Sequence, residues 1–245
     1  MKVIDVSKHN GTINWSDVKK DGIEGVIIRA GFGKLVSQKD PAFETYYKGA
    51  SAVGLHVGAY WYSHALSASE AEQEAKAFLA CIKGKRFDLP VYLDIEDKTQ
   101  VPLGKNVCTD IVNAFMCVLE GAGYFAGVYS FDSFFGSNLS NDIRIRYAIW
   151  VSRVENVAPK IATEWGIHQY SWKGKVKGIN GDVDMDSCIK DYPSIIKNVG
   201  FNGYTKQSAD TYKVTAEIGG VTSDKAGDVS TACKNLGMTV TKEKE

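Results

Sequence analysis

The stretch Leu89-Pro90-Val91-Tyr92-Leu93-Asp94-Ile95-Glu96 is an apolar run that ends in two acids. Side chains alternate along a strand, so Asp94 and Glu96 project to one face while Leu93 and Ile95 pack on the other. A strand apolar on both faces belongs to a parallel sheet covered by helices. Comparable runs lie on both sides of it: KVID (2–5), GVIIRAGF (25–32), HVGAYWYS (56–63), FAGVYSF (125–131), RYAIWVSR (146–153) and GIHQYS (166–171). Helical marks separate the early runs. Asn14-Trp15-Ser16-Asp17-Val18 precedes Asp21-Gly22, Asp40-Pro41 opens a segment closing near Gly54, and Ser67 or Ser69 caps a run from Ala68 to Ile82 that stops at Gly84. A fourth spans 106–120 and ends at Gly121. After residue 131 the helical marks weaken, and turns at Lys173-Gly174 and Asn180-Gly181 predict an antiparallel stretch. The expected fold is α/β, an irregular TIM-like barrel with an incomplete helical ring over residues 1–200.

A linker is expected over 201–210, then a small βαβ-like segment over 211–245, with strand 211–218, helix 223–237 and strand 238–243. Such a piece is too small to bury a core alone, so it is expected to pair with the barrel, a ligand surface or a second copy, forming a homo-oligomer.

The 245 residues carry 29 Lys+Arg against 29 Asp+Glu, so there is no global field to collect nucleic acid or an anionic membrane. Apolar runs are of strand length, well short of the roughly 20 residues of a membrane span. The N-terminus has Asp5 in its first apolar stretch and no continuous apolar region, so it reads as a first strand and no signal peptide is expected. Cys81, Cys108, Cys117, Cys188 and Cys233 are widely spread, without a Cys-x-x-Cys pair, and read as free thiols. His9, His56, His64 and His168 have no metal-ligand spacing, so no metal site is expected; His9 and His64 sit near strand ends, read as loop histidines. Ala30-Gly31-Phe32-Gly33-Lys34 lacks the glycine spacing and the Ser/Thr of a phosphate loop.

On a parallel barrel, functional groups stand where strands end. Three runs end in acid: Asp5, then Asp94 with Glu96, then Asp182-Val183-Asp184-Met185-Asp186. Like charges in one small space resist joint ionisation, so one of Asp94 and Glu96 is expected to hold its proton near neutral pH. A protonated carboxyl beside ionised ones is the equipment for cleaving a glycosidic bond, and Asp94, Glu96, Asp5 and Asp184 can fill both roles. Asp97, Asp182 and Asp186 read as strand-end caps or a solvated rim. Aromatics crowd the same ends: Tyr60, Trp61, Tyr62, Tyr129, Phe131, Trp150, Tyr170 and Trp172. Sugar rings stack on such planes, and Tyr hydroxyls and the Gln169 amide can bond sugar hydroxyls and N-acetyl groups. Alternation puts Tyr60 and Tyr62 on one face and Trp61 on the other. Tyr60, Tyr62, Tyr129, Trp150, Gln169 and Tyr170 are the expected substrate-binding set.

These residues resemble the glycoside hydrolase family 25 lysozymes, or Chalaropsis-type muramidases, which include many bacteriophage endolysins. The matching stretches are IDVSKHNGTINW (4–15), GVIIRAGFG (25–33), GAYWYSHAL (58–66), PVYLDIED (90–97), GVYSF (127–131), IWVSRV (149–154) and HQYSWKGKVKGINGDVDMD (168–186). The resemblance implies hydrolysis of the β-1,4 bond between N-acetylmuramic acid and N-acetylglucosamine in peptidoglycan, without a cofactor. It makes Glu96 the acid/base, Asp94 its assisting carboxylate, Asp5 and Asp184 the further active-site acids, and Tyr62 an aromatic near the scissile sugar. The family often has Asn on either side of the key Asp, where this chain has Asp182 and Asp186. Whether a carboxylate or the substrate's acetamido oxygen attacks the anomeric carbon stays open. By position, 211–245 is where endolysins add a wall-binding module. The resemblance implies an enzyme made in a host bacterium and acting on the wall after release in phage or prophage lysis. Two alternatives compete: a chitin-type glycosidase, and a catalytically silent carbohydrate-binding barrel.

Overall fold

The computed structural model describes residues 1–154, 157–161, 165–206 and 228. Eight strands close into a barrel in chain order: β1 (Lys2–Val6), β2 (Gly25–Phe32), β3 (His56–Tyr62), β4 (Val91–Asp94), β5 (Ala126–Phe131), β6 (Ala148–Ser152), β7 (Ile167–Gly174) and β8 (Val183–Cys188). Neighbours from β1 to β7 pair in parallel. Only β8 runs the other way, antiparallel to both β7 and β1. The antiparallel stretch expected after residue 131 is therefore narrower than the sequence indicates. β5, β6 and β7 remain parallel because α5 (Asp132–Ser137) and α6 (Asn141–Arg146), and then the connection after β6, return the chain to the barrel floor. Both helices are too short to display a helical period, and unlike the equally short helix over Trp15–Lys20 with its Asn14 cap they have no side-chain cap, which is why they escape a sequence reading.

Four helices cover the earlier strands: α1 (Trp15–Lys20), α2 (Phe43–Ala52), α3 (Ala68–Ile82) and α4 (Gly104–Gly121). Asn14 caps α1 and Ser67 caps α3, each side-chain oxygen accepting a first-turn backbone N–H. β7 and β8 are joined by a turn with no helix, so the ring is incomplete, as expected. After β8, α7 (Tyr192–Val199) starts at the Asp191 cap and ends at Gly200, whose φ of 77° is the left-handed stop that glycine adopts freely.

Strand alternation sorts the core into two layers. Outward-facing Ile4, Val26, Ile28, Trp61, Leu93 and Val128 pack against Phe43, Phe78, Ile111 and Phe115 of the helices. Inward-facing Val3, Ile27, Tyr60, Tyr92, Tyr129, Trp150 and Ile167 fill the barrel, and Tyr192 and Ile196 of α7 pack into the same cluster. Gly127 is required by this filling, since a Cβ there would lie 2.4 Å from the Tyr92 ring.

The chain divides into two compact units, residues 1–207 and 208–245. Residues 201–204, the start of the stretch read as a linker, are packed onto the barrel. Asn202 is buried, donates to the carbonyls of Phe87 and Leu89, and accepts from the Phe125 N–H. The strand–helix–strand pattern expected in 211–245 lies outside the described residues, apart from Asp228.

Candidate active site

Parallel strands place their carboxyl ends on one face, and the inward-facing rows of the barrel converge there. Asp5 closes the row that begins with Val3, Asp94 the row after Tyr92, and Glu96 follows two residues later where β4 has ended. Because β8 is reversed, its early residues lie at this same mouth: Asp184 pairs with Asp5, and Asp186 pairs with Val3 and Gln169. Five carboxyls thus share one pit. Asp5 and Asp94 are buried, while Glu96 and Asp184 keep partial access to solvent.

Burial is the main force on all of them. It pushes Glu96 up to about 7, with the negative charges of Asp184 and Asp97 adding to the rise and the Tyr129 hydroxyl opposing it. Burial takes Asp184 up to about 6. Asp94 is raised well above the usual carboxylate range by burial and then by Glu96 and Asp5, with the Arg29 guanidinium pulling the other way. Asp5 is likewise raised by burial and by Asp184, against the hydrogen bond from Gln169. Oδ1 of Asp94 and Oε2 of Glu96 are buried polar atoms with no protein hydrogen-bond partner. An arrangement with unused acceptors and a proton retained near neutral pH is equipped for acid/base chemistry on a bound ligand.

Gln169 organises the floor. Its Nε2 donates to Asp5 Oδ2 at 2.8 Å, and its Oε1 accepts from the Tyr129 hydroxyl and from Trp172 Nε1, both at 2.9 Å. At the rim the Tyr62 hydroxyl donates to Asp97 Oδ2 at 3.1 Å, and His64 lies against the same carboxylate. The rim loops are tied down from behind. Buried Glu74 of α3 accepts the His64 N–H, and buried Gln100 donates to Ser63 and Ala65.

The structure brings Asp5, Asp94, Glu96, Asp184, Tyr60, Tyr62, Tyr129 and Gln169 together, and it corrects three expectations, those for Trp150, Tyr170 and Asp186. Trp150 is sealed in the barrel beneath the pit, 1% exposed, with Nε1 donating to Asp186 at 2.7 Å, so it supports the floor and offers no face to a sugar. Tyr60 packs edge-on against that ring, yet it is no more buried than Tyr129 and its hydroxyl feels the charges of Asp5, Asp94 and Asp184, so it stays with the pit as part of its wall. Tyr170 has the opposite parity from Gln169 and packs on the outer layer beside His168. Asp186, read as a cap or rim residue, is wholly buried, whereas Asp182 is exposed and paired with Lys175. Arg29 is the residue that the sequence reading passed over. Its Nε donates to buried Asp40 at 2.8 Å, and it is the cation that acts on Asp94. A lone arginine inside the apolar run GVIIRAGF was the available signal. Among the described residues no cluster of His, Cys, Asp and Glu has the arrangement of a metal site.

Comparison with known proteins places this geometry. An autolytic lysozyme of Clostridium acetobutylicum is 30% identical over 188 residues, which are 76% of this chain and 55% of that protein. The chain thus spans about half the length of that curated relative. The crystal structure of the CTP1L endolysin superposes with a TM-score of 0.72 at 28% identity, covering 80% of this chain and 69% of the endolysin chain. The modular autolysin LytC of Streptococcus pneumoniae, in complex with a synthetic peptidoglycan ligand, superposes with a TM-score of 0.67 at 29% identity, over 76% of this chain and 46% of that one. Residues 4–179, which include Asp5, Asp94 and Glu96 and end before β8, match the glycosyl hydrolases family 25, and the chain belongs to that family.

Proposed function

We propose that the barrel is an N-acetylmuramidase that cleaves the β-1,4 bond between N-acetylmuramic acid and N-acetylglucosamine in bacterial peptidoglycan. One observation carries the reading: Glu96, partly accessible at the mouth, is pushed up to about 7 and shares a strand face with Asp94. Glu96 donates its proton to the bridging oxygen as the glycosidic bond breaks, and the positive charge growing on the anomeric carbon faces the carboxyls of Asp94, Asp5 and Asp184. Glu96, now ionised, accepts a proton from the incoming water, which restores the starting state. Tyr62 and Trp172, the latter 46% exposed, are the aromatic faces available to sugar rings at the rim. The lysozyme and endolysin relatives and the peptidoglycan ligand of LytC support the substrate class. The place of action that fits is the cell wall, reached after release from a host bacterium.

The test is turbidity loss of Gram-positive walls with the parent chain and with Glu96→Gln, followed by mass spectrometry of the fragments. The expected result is clearance with muramic acid at the new reducing ends, and a fall of roughly 10²–10⁴-fold in the variant, the range for loss of a general acid. N-acetylglucosamine at the new reducing ends, or equal clearance by the variant, overturns the assignment.

A further inference from the structure

Beside the acid pit, at the same end of the barrel, lies a cavity of about 410 Å³. Phe131, Asp132, Ser152, Arg153, Lys160 and Trp172 are among the residues that line it. It shares a wall with the pit. Phe131 and Ser152 continue the inward-facing rows of Tyr129 and Trp150, and Trp172 donates to Gln169. On this wall the rings of Phe131 and Trp172 meet edge to face, their centroids 6.2 Å apart.

The polar lining has the opposite charge from the pit. Asp132 pairs with the Arg153 guanidinium and also accepts the backbone N–H groups of Lys160 and Ile161 at 2.9–3.0 Å. Its charge is therefore committed to Arg153 and to fixing the chain at 160–161. Arg153 is held in turn by its N–H to the Gln169 carbonyl and by its own carbonyl against His168 Nε2. Lys160 is exposed, and among the described residues no carboxylate pairs with its ammonium. Among the described residues one carboxylate stands against two cations, so this lining carries net positive charge, next to a pit that repels anions.

A muramic residue differs from N-acetylglucosamine by a lactyl ether that carries a peptide, and that peptide bears free carboxylates. We propose that this cavity receives the acyl-peptide arm, its carboxylate pairing with Lys160 and its apolar part lying on Phe131 and Trp172. The proposal rests on the muramidase reading and gives a physical basis for preferring peptidoglycan over a chitin-like chain, which has no anion to offer.

The experiment compares kcat and KM for un-cross-linked glycan chains whose peptide carboxylates are free or amidated, using the parent, Lys160→Ala and Lys160→Arg. The parent is expected to prefer the free form by about fivefold in kcat/KM, the worth of one partly exposed ion pair, with the difference in KM. Lys160→Ala brings the ratio to about one, and Lys160→Arg retains it. A parent that cuts both chains without preference, or a Lys160→Ala chain that keeps the preference, overturns the proposal. If the parent cuts neither chain, the muramidase reading fails as well.

Discussion

Asp184 stands directly across from Asp5 in the antiparallel register of β8 with β1. Directly opposed side chains lie close together on the inner face, so the last strand of the barrel completes an acid pair begun by the first. The reversal of β8 is what allows this, because a residue near the start of a reversed strand reaches the mouth that parallel strands reach only at their ends.

Activity is expected to be confined to mildly acidic and neutral pH. Glu96 must be protonated to act as the acid and is pushed up to about 7, so kcat falls as pH rises through that value. Asp184, raised to about 6, ionises just below it and supplies the negative charge facing the sugar. Asp184→Asn removes a negative neighbour of Glu96, so the alkaline limb moves to lower pH. A pH profile of kcat for parent and variant checks the direction, read as the behaviour of a coupled pair.

The same group costs stability at neutral pH. Glu96 rises from an ordinary 4.5 to about 7 in the folded chain, so its contribution is intact below about 4.5 and is lost as pH climbs to 7. Glu96→Gln is therefore expected to be more stable than the parent by about 1–3 kcal/mol at pH 8, with the gap closing by pH 4. Thermal unfolding of both proteins at the two pH values measures it.

Asp186 separates charge from hydrogen bonding. Burial, followed by the charge of Asp5, raises it well above the carboxylate range, while Trp150 Nε1 donates to it. Asp186→Asn keeps an acceptor for Trp150 and should leave stability within about 1 kcal/mol of the parent, whereas Asp186→Ala orphans the buried indole N–H at a cost of about 1–3 kcal/mol. Urea unfolding at pH 7 distinguishes the two.

These residues also show what the sequence could reveal. Asp94 and Glu96 were legible because they end a strand apolar on both faces, where alternation alone puts them together. Trp150 was misplaced in depth, because alternation assigns the inner face without saying whether a position lies at the mouth or below it. Asp186 and Arg29 needed partners far away in the chain: Trp150 for one, Asp40 and Asp94 for the other. The direction of β6 was hidden by the short helices α5 and α6, with too few turns to leave a period.

On the barrel floor, Asp88 ties the end of the barrel chain in place. Burial pushes its carboxyl up, but contacts from His56, Lys197 and Tyr204 outweigh that and hold it well below the usual range. Lys197 Nζ lies at 2.8 Å and the Tyr204 hydroxyl donates at 2.9 Å. A depressed carboxyl stabilises above its ordinary pKa near 3.8 and loses that contribution as pH falls below it. Asp88→Asn is expected to cost about 1–2 kcal/mol at pH 7, discounted because Lys197 is 40% exposed, and distinctly less, though still a measurable amount, at pH 2.5. Chemical denaturation at the two pH values checks the sign.

Two further ties hold that floor. The Met1 ammonium donates to the Cys188 carbonyl, and Asn202 is bonded to the chain just before β4 and β5. Both ties lie at the opposite end of the barrel from Asp94 and Glu96. Anchoring the barrel to a bead or electrode through a side chain of this floor would leave its acid-lined opening turned toward the bulk.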